Sequence, residues 1–256
     1  MADLFENEAP PPAPSQPEAP REDAPLADRL RPRNLGEVVG QEHLTGPEGS
    51  IGRMVAAGKL SSMILWGPPG TGKTTIARLL ADAVGMRFAA VSAVFSGVAD
   101  LKKAFAEAET AAKAGQKTLL FVDEIHRFNR AQQDGFLPFV ERGTVTLVGA
   151  TTENPSFALN AALLSRAQVL ILERLGHEAL GELLTRAEEL ERPLPLTEDA
   201  RAALIASADG DGRFLLNQAE TLYNAGLTEP LDPAALGSFL QRRVAVYDKD
   251  RDGHYN

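Results

Sequence analysis

The stretch that most constrains this chain is Gly67–Thr74, "GPPGTGKT". The apolar run "SMILW" precedes it and "KTTIARLLADAVG", with helical spacing and a glycine stop, follows, so the loop joins the end of a strand to the start of a helix. In that context G-x-x-x-x-G-K-[ST] is a phosphate cradle. Glycines let backbone N–H groups turn inward around the phosphates, and the positive end of the helix adds to the attraction. Lys73 is expected to reach the β and γ phosphates and Thr74 to ligate Mg²⁺. The nucleotide contacts expected here are Gly67, Pro68, Pro69, Gly70, Thr71, Gly72, Lys73, Thr74 and Thr75, with ATP and Mg²⁺ as cofactors.

A phosphate loop needs a sheet edge to stand on, and the flanking sequence supplies one. Short apolar runs alternate with helical stretches from Ser61, the pattern of parallel strands joined by crossover helices. The predicted strands are "SMILWG", "RFAAVSAV", "TLLFVDE", "TVTLVGATT" and "QVLIL". Helices are predicted over "ADLKKAFAEAETAAKAG", opened by Asp100, over "AQQDGFLPFVERG" and over the short "AALLSR". This makes an α/β core with a five-stranded parallel sheet over residues 26–173. From Arg174 no strand-like run appears and helical periodicity takes over, so 174–247 reads as a small all-α lid. Its last helix is capped by Asp232 with Pro233 at the first helical position.

Composition sets the outer limits. At 256 residues with 44% hydrophobic residues, the chain can bury one full core and a satellite domain. It has no cysteine, which points to a reducing cytosol, and His43, His126, His177 and His254 are too scattered for metal-ligand spacing. No apolar run approaches the roughly 20 residues that span a bilayer, so no membrane partner is expected. Residues 1–25 hold seven prolines and six acids against one base, which reads as a disordered, Pro-rich acidic tail. That tail carries −5 of the net −9, leaving −4 for the body, which disfavours coating of bulk DNA but not DNA contact on a local basic surface. Leu4 and Phe5 are the exception within the tail, a candidate short anchor for a partner's groove.

The chemistry then has to be completed around the phosphates. Asp123 and Glu124 close the strand "LLFV" at the carboxyl edge, where open α/β sheets bind ligands. Asp123 is suited to the Mg²⁺ shell and Glu124 to polarising an attacking water. Thr152, in "VGATTEN" at the end of its strand, is expected to meet that water or the γ-phosphate. Arg166 in "LLSRA" lies far along the chain and reads as an arginine finger only if subunits share a site. Arg213 in "GDGRF" begins a lid helix, from which it can touch the γ-phosphate. Arg127 and Arg130, after the acidic pair, are the candidate DNA contacts.

Together these stretches resemble the AAA+ ATPases of the clamp-loader-like branch. "PLADRLRPRNLGEVVGQEHL", "DEIHRFNRAQQDGFLPFVERG" and "GATTENPSFALNAALLSRA" are similar to the replication-associated recombination protein A family, related to the Werner-helicase-interacting ATPase. The resemblance implies a homo-oligomer with DNA-stimulated ATP hydrolysis at stalled or gapped forks, in the cytoplasm and associated with the nucleoid. It implies single-strand-binding protein as a partner, and backbone and side chains around Val39, Gly40 and Gln41 bordering the adenine. Two departures stand out. Phe214 occupies a position where the family usually has a second basic residue, which weakens the lid's phosphate or DNA contact. The family also continues past "YDKDRDGHYN" into a helical oligomerisation domain, so 248–256 reads as the start of a C-terminal region that the chain lacks. "MADLF" is similar to the Leu-Phe-ended peptides that dock on the bacterial sliding clamp.

Other functions share these residues: a nucleotide-switched scaffold that recruits replication partners, a clamp-loader subunit, or a Holliday-junction motor. "HRFNRAQQD" resembles neither of the last two. A small-molecule kinase would leave Glu124 and Arg166 without a purpose.

Overall fold

A computed structural model of the chain describes residues 23–227 and 229–240. Five strands, β1 (Met63–Trp66), β2 (Arg87–Ser92), β3 (Thr118–Asp123), β4 (Val145–Thr151) and β5 (Gln168–Ile171), form one parallel sheet in the order β2-β3-β4-β1-β5. The register aligns Trp66 with Thr151 and Ser92 with Asp123. The loops after β1, β2, β3 and β4 therefore open along the same carboxyl edge.

The alternation of side chains along each strand divides the core into two layers. Met63, Leu65, Leu119, Phe121, Val148 and Ala150 face the helix Lys73–Ala83, whose Ile76, Ala77 and Leu80 are fully buried. Ile64, Leu120, Val122 and Leu147 face the other way, against Leu101, Phe105 and Ala108 of the helix Val98–Lys113 and against Phe136. With both faces covered, β3 and β4 read as continuous apolar runs, as central parallel strands do.

Two helix assignments from sequence need correction. Asp100 does not open its helix: Gly97 is the N-cap, and Asp100, at the third helical position, accepts from the Gly97 N–H at 2.8 Å. A carboxylate there satisfies an end donor as well as a cap does, so sequence alone does not separate the two positions. The stretch "AQQDGFLPFVERG" is broken into Arg130–Asp134 and Leu137–Glu141. Pro138 lacks the N–H that would continue the first helix and instead sits in the first turn of the second.

The lid consists of helices His177–Leu190, Glu198–Ser207 and Gly212–Tyr223, followed by helical residues 233–240. Thr197, Asp211 and Asp232 accept from backbone N–H groups three residues on, at 3.2, 2.9 and 2.8 Å. Leu26 belongs to the lid's apolar cluster although it precedes the core in the chain. Its N–H donates to Glu220 Oε1 at 2.9 Å, and Arg29 pairs with Glu191. Leu4, Phe5, almost all of the 1–25 tail and residues 248–256 lie outside the described residues.

Candidate functional site

The loop after β1 is hung on β4 by the Gly67 N–H, which donates to the Thr151 carbonyl at 3.1 Å. Gly70 and Gly72 have φ of 68° and 92°, the left-handed region that glycine enters without cost and that turns successive amides inward. Inside this cradle Lys73 is buried, and its Nζ donates to the carbonyls of Gly67 at 2.8 Å and Pro68 at 2.6 Å. Burial holds the ammonium below the usual lysine range, while Glu124, Asp123 and Asp211 act against that lowering.

A cleft runs from this cradle between core and lid. At its polar end stand Lys73, Thr74, Asp123, Glu124, Thr152 and Arg213, brought together from four separate stretches of sequence. At its apolar end Val39, from the segment before β1, faces Leu175, Leu183 and Leu216 of the lid side. One end is built for anionic oxygens and the other for a flat apolar ring, the two halves of a nucleotide. The lid meets the cradle directly, since the Gly212 N–H donates to the Gly70 carbonyl at 3.3 Å.

The residues named from sequence fall into distinct places. Pro69 to Thr75 line the cleft, while Gly67 and Pro68 lie at its base with their carbonyls on Lys73. Val39 lines it, but Gly40 and Gln41 do not. Gln41 is fully buried, its side chain donating to the Glu173 carbonyl at 2.8 Å and accepting from the Glu173 N–H at 3.1 Å. It ties the segment before β1 to the end of the sheet, which holds Val39 in place. Arg127 and Arg130 are exposed after β3, with Arg127 Nε 4.0 Å from Glu124 Oε2. Arg166 is outside its own chain's cleft and pairs with Glu141 at 2.6 Å.

Glu124 has φ 52° and ψ 43°, an uncommon conformation for a residue with a side chain and one that concentrates at functional sites. Its carboxylate meets His126, which by sequence spacing is merely one of four scattered histidines. His126 Nε2 is 3.2 Å from Glu124 Oε2, and its Nδ1 is 2.9 Å from Thr151 Oγ1. The spacing D-E-x-H is the signal that could have singled it out. Thr151, whose hydroxyl also accepts from the Glu153 N–H at 3.0 Å, immediately precedes Thr152, so the acid after β3 and the polar turn after β4 are joined through one imidazole.

Among the described residues no group of three or more acidic, histidine or cysteine side chains gathers as a metal cage. Thr74 and Asp123 both line the cleft and offer a hydroxyl and a carboxylate, the hard oxygen donors that magnesium takes beside nucleotide phosphates.

Comparison with known proteins identifies the family. Residues 63–175 match the family model of the "ATPase family associated with various cellular activities (AAA)", and 190–256 match the "AAA C-terminal domain". The chain belongs to the AAA+ ATPases, a family of ATP hydrolases with a parallel sheet and a helical C-terminal part. Within it, the chain has close homology to replication-associated recombination protein A and to ATPase WRNIP1. It is 43% identical over 243 residues to the Escherichia coli K12 replication-associated recombination protein A, covering 91% of this chain and 54% of that protein. Against ATPase WRNIP1 of Dictyostelium discoideum it is 40% identical over 257 residues, covering 91% and 29%. The solved Thermotoga maritima RuvB Holliday junction branch migration motor superposes with a TM-score of 0.67 at 25% identity, covering 83% of this chain and 72% of that one. The chain thus spans about half the length of the bacterial relatives it matches. Among the described residues no helix is long and apolar enough to cross a membrane.

Proposed function

We propose that the chain is the nucleotide-hydrolysing part of a DNA-dependent ATPase acting on replication-fork or gapped DNA in recombination and repair. The observation that carries the reading is the single cleft in which the Lys73 cradle, the Asp123–Glu124 pair, Thr152 and the lid's Arg213 meet. The DNA substrate class rests on the similarity to replication-associated recombination protein A.

The inward amides of Gly70 to Thr74 and the Lys73 ammonium bind and orient the phosphates, and Thr74 and Asp123 would hold Mg²⁺. When bound, that ion neutralises charge developing on the phosphate oxygens. Glu124 takes a proton from the attacking water, held at the required angle by His126. Thr152 positions that water or the γ-phosphate, and Arg213 links the lid to it. Arg166 serves the cleft of a neighbouring copy in a homo-oligomer. Arg127 and Arg130 contact DNA phosphates. Single-strand-binding protein and, through Leu4 and Phe5, a sliding clamp are the further partners, and the working compartment is the cytoplasm at the nucleoid.

Steady-state ATP hydrolysis with and without forked DNA tests the reading. Stimulation by the fork that Glu124→Gln abolishes supports it. Slow turnover indifferent to DNA overturns it in favour of a nucleotide-switched scaffold.

A further inference from the structure

Along the carboxyl edge of the sheet, the order β2-β3-β4-β1 sets a sequence of features in space: the nucleotide cradle after β1, Thr152 after β4, Glu124 with Arg127 and Arg130 after β3, and the turn Ala93–Gly97 after β2. At the tip of that last turn Phe95 is 89% exposed, flanked by Val94 at 49% and Val98 at 54%. Leaving three neighbouring hydrophobes in water is unfavourable, and such patches mark recognition surfaces. The turn itself is well made. Phe95 N–H and Ser96 N–H both donate to the Ser92 carbonyl, at 3.2 and 2.9 Å, and the Gly97 N–H is held by Asp100.

The chemistry around Phe95 narrows the occupant. An apolar groove of about 570 Å³ separates the first turns of the helix Val98–Lys113 from the segment that starts at Asn129. Val98, Lys102 and Phe105 form one wall, and Asn129, Ala131 and Gln132, the residues around Arg130, form the other. Lys102 and Arg130 make no ion pair among the described residues, and Arg127 has only the long contact to Glu124. The nearby acids are engaged or set apart: Asp100 on the Gly97 N–H, Glu124 on His126, and Glu109 farther along the groove. Phe157 is as exposed as Phe95, but its short helix "PSFA" carries no cation. An exposed ring on the turn that adjoins a loop with unpaired cations is the combination that single-stranded nucleic acid uses, with bases on the ring and phosphates on the cations.

We infer that Phe95 is a stacking platform for a base of single-stranded DNA whose backbone runs over Arg127 and Arg130, a deepening that rests on the DNA-dependent reading above. The turn also reports its occupancy. The Ala93 N–H donates to the Asp123 carbonyl at 2.9 Å, so a strand pulling on Phe95 pulls on the residue next to Glu124.

The test uses the full chain and a 20-nucleotide oligothymidylate probe, read by fluorescence anisotropy over a salt series, with a 2-aminopurine reporter for stacking. Phe95→Ala is expected to weaken the oligonucleotide by about tenfold with an unchanged salt slope, and Phe95→Trp to restore it. Arg127→Ala with Arg130→Ala lowers the slope by about one unit for each phosphate no longer neutralised. Phe95→Ala should unfold at the wild-type temperature and bind ATP as wild type does, since the ring stands almost wholly in water. A Phe95→Ala chain that binds the oligonucleotide as wild type does overturns the inference and leaves the DNA-dependent reading standing. The same holds if the variant loses only self-association, which would assign the patch to a protein contact. A wild-type chain that holds neither oligonucleotide nor forked DNA overturns both.

Discussion

His126 stands against Glu124, with Nε2 3.2 Å from Oε2, while its other nitrogen reaches Thr151 on the neighbouring strand. A carboxylate at the tip of a strand, in a left-handed backbone conformation, has few contacts to fix its direction, and the imidazole supplies one. Replacing His126 by Ala should lower kcat for ATP about ten- to hundredfold and leave KM nearly unchanged, because a misaimed base loses rate, not binding. Glu124→Gln should lose about a hundredfold or more while still binding ATP. A His126→Ala enzyme with wild-type kcat would remove the imidazole from this role.

Lys73 is buried with its ammonium on two carbonyls, and its pKa lies below the ordinary 10.5 chiefly because of that burial. Bound phosphates favour the charged form, so nucleotide binding takes up a proton in the alkaline window between the free and bound pKa. ATP affinity should therefore fall as pH rises through the free value, which lies below 10.5. Calorimetry in buffers of different ionisation enthalpy reads the proton directly. Lys73→Ala should show neither the proton nor appreciable binding.

Arg166 pairs with Glu141 and stays out of its own chain's cleft. If it serves a neighbour, Arg166→Ala should bind ATP normally and lose about a thousandfold in turnover. Lys73→Ala lacks a nucleotide to hydrolyse but keeps its arginine. Mixing the two inactive variants should regain part of the activity under conditions where sedimentation shows oligomers. Oligomers that mix without any regain would exclude a shared site.

Gln41 is fully buried and answers both the N–H and the carbonyl of Glu173. Truncation to Ala removes two part-buried hydrogen bonds to the Glu173 main chain, at a cost of about 1 kcal/mol each. Gln41→Ala should lower the unfolding temperature and, by releasing Val39, weaken ATP binding more than it slows turnover. Chemical denaturation alongside a nucleotide titration separates the two effects.

Tyr223 donates to the Arg192 carbonyl at 2.9 Å in the lid, and its pKa is pushed up to about 12, first by burial and then by Glu188 and Glu191. A raised acid is retained neutral by the folded state, so its contribution to stability is complete below pH 10 and is lost as pH climbs to about 12. Thermal unfolding followed from about pH 9 to about 12 should show that loss, and Tyr223→Phe should flatten it at the cost of one hydrogen bond, about 1 kcal/mol.

Much of this molecule is legible along the chain because its signals are local. The cradle's glycines and lysine are contiguous, and β1 to β5 announce themselves as apolar runs between helical stretches. Short-range chemistry misleads where two positions serve equally, as with Asp100 at the third helical position in place of the cap, and where Pro138 divides a run with helical composition.

The sequence by itself determined the phosphate loop, the acidic pair and the parallel core, since each depends on residues a few positions apart and on backbone preferences that neighbours set. Tertiary structure alone decided what those groups touch. Strand order put β4 beside both β1 and β3, joining Thr151 to His126 and Glu124. Folding also brought Leu26 into the lid, Gln41 to Glu173 and the Ala93 N–H, at the start of the Phe95 turn, to the Asp123 carbonyl. Those partners are separated by tens of residues or more, and burial and hydrogen bonding between such distant segments depend on how the layers stack, which no local pattern encodes.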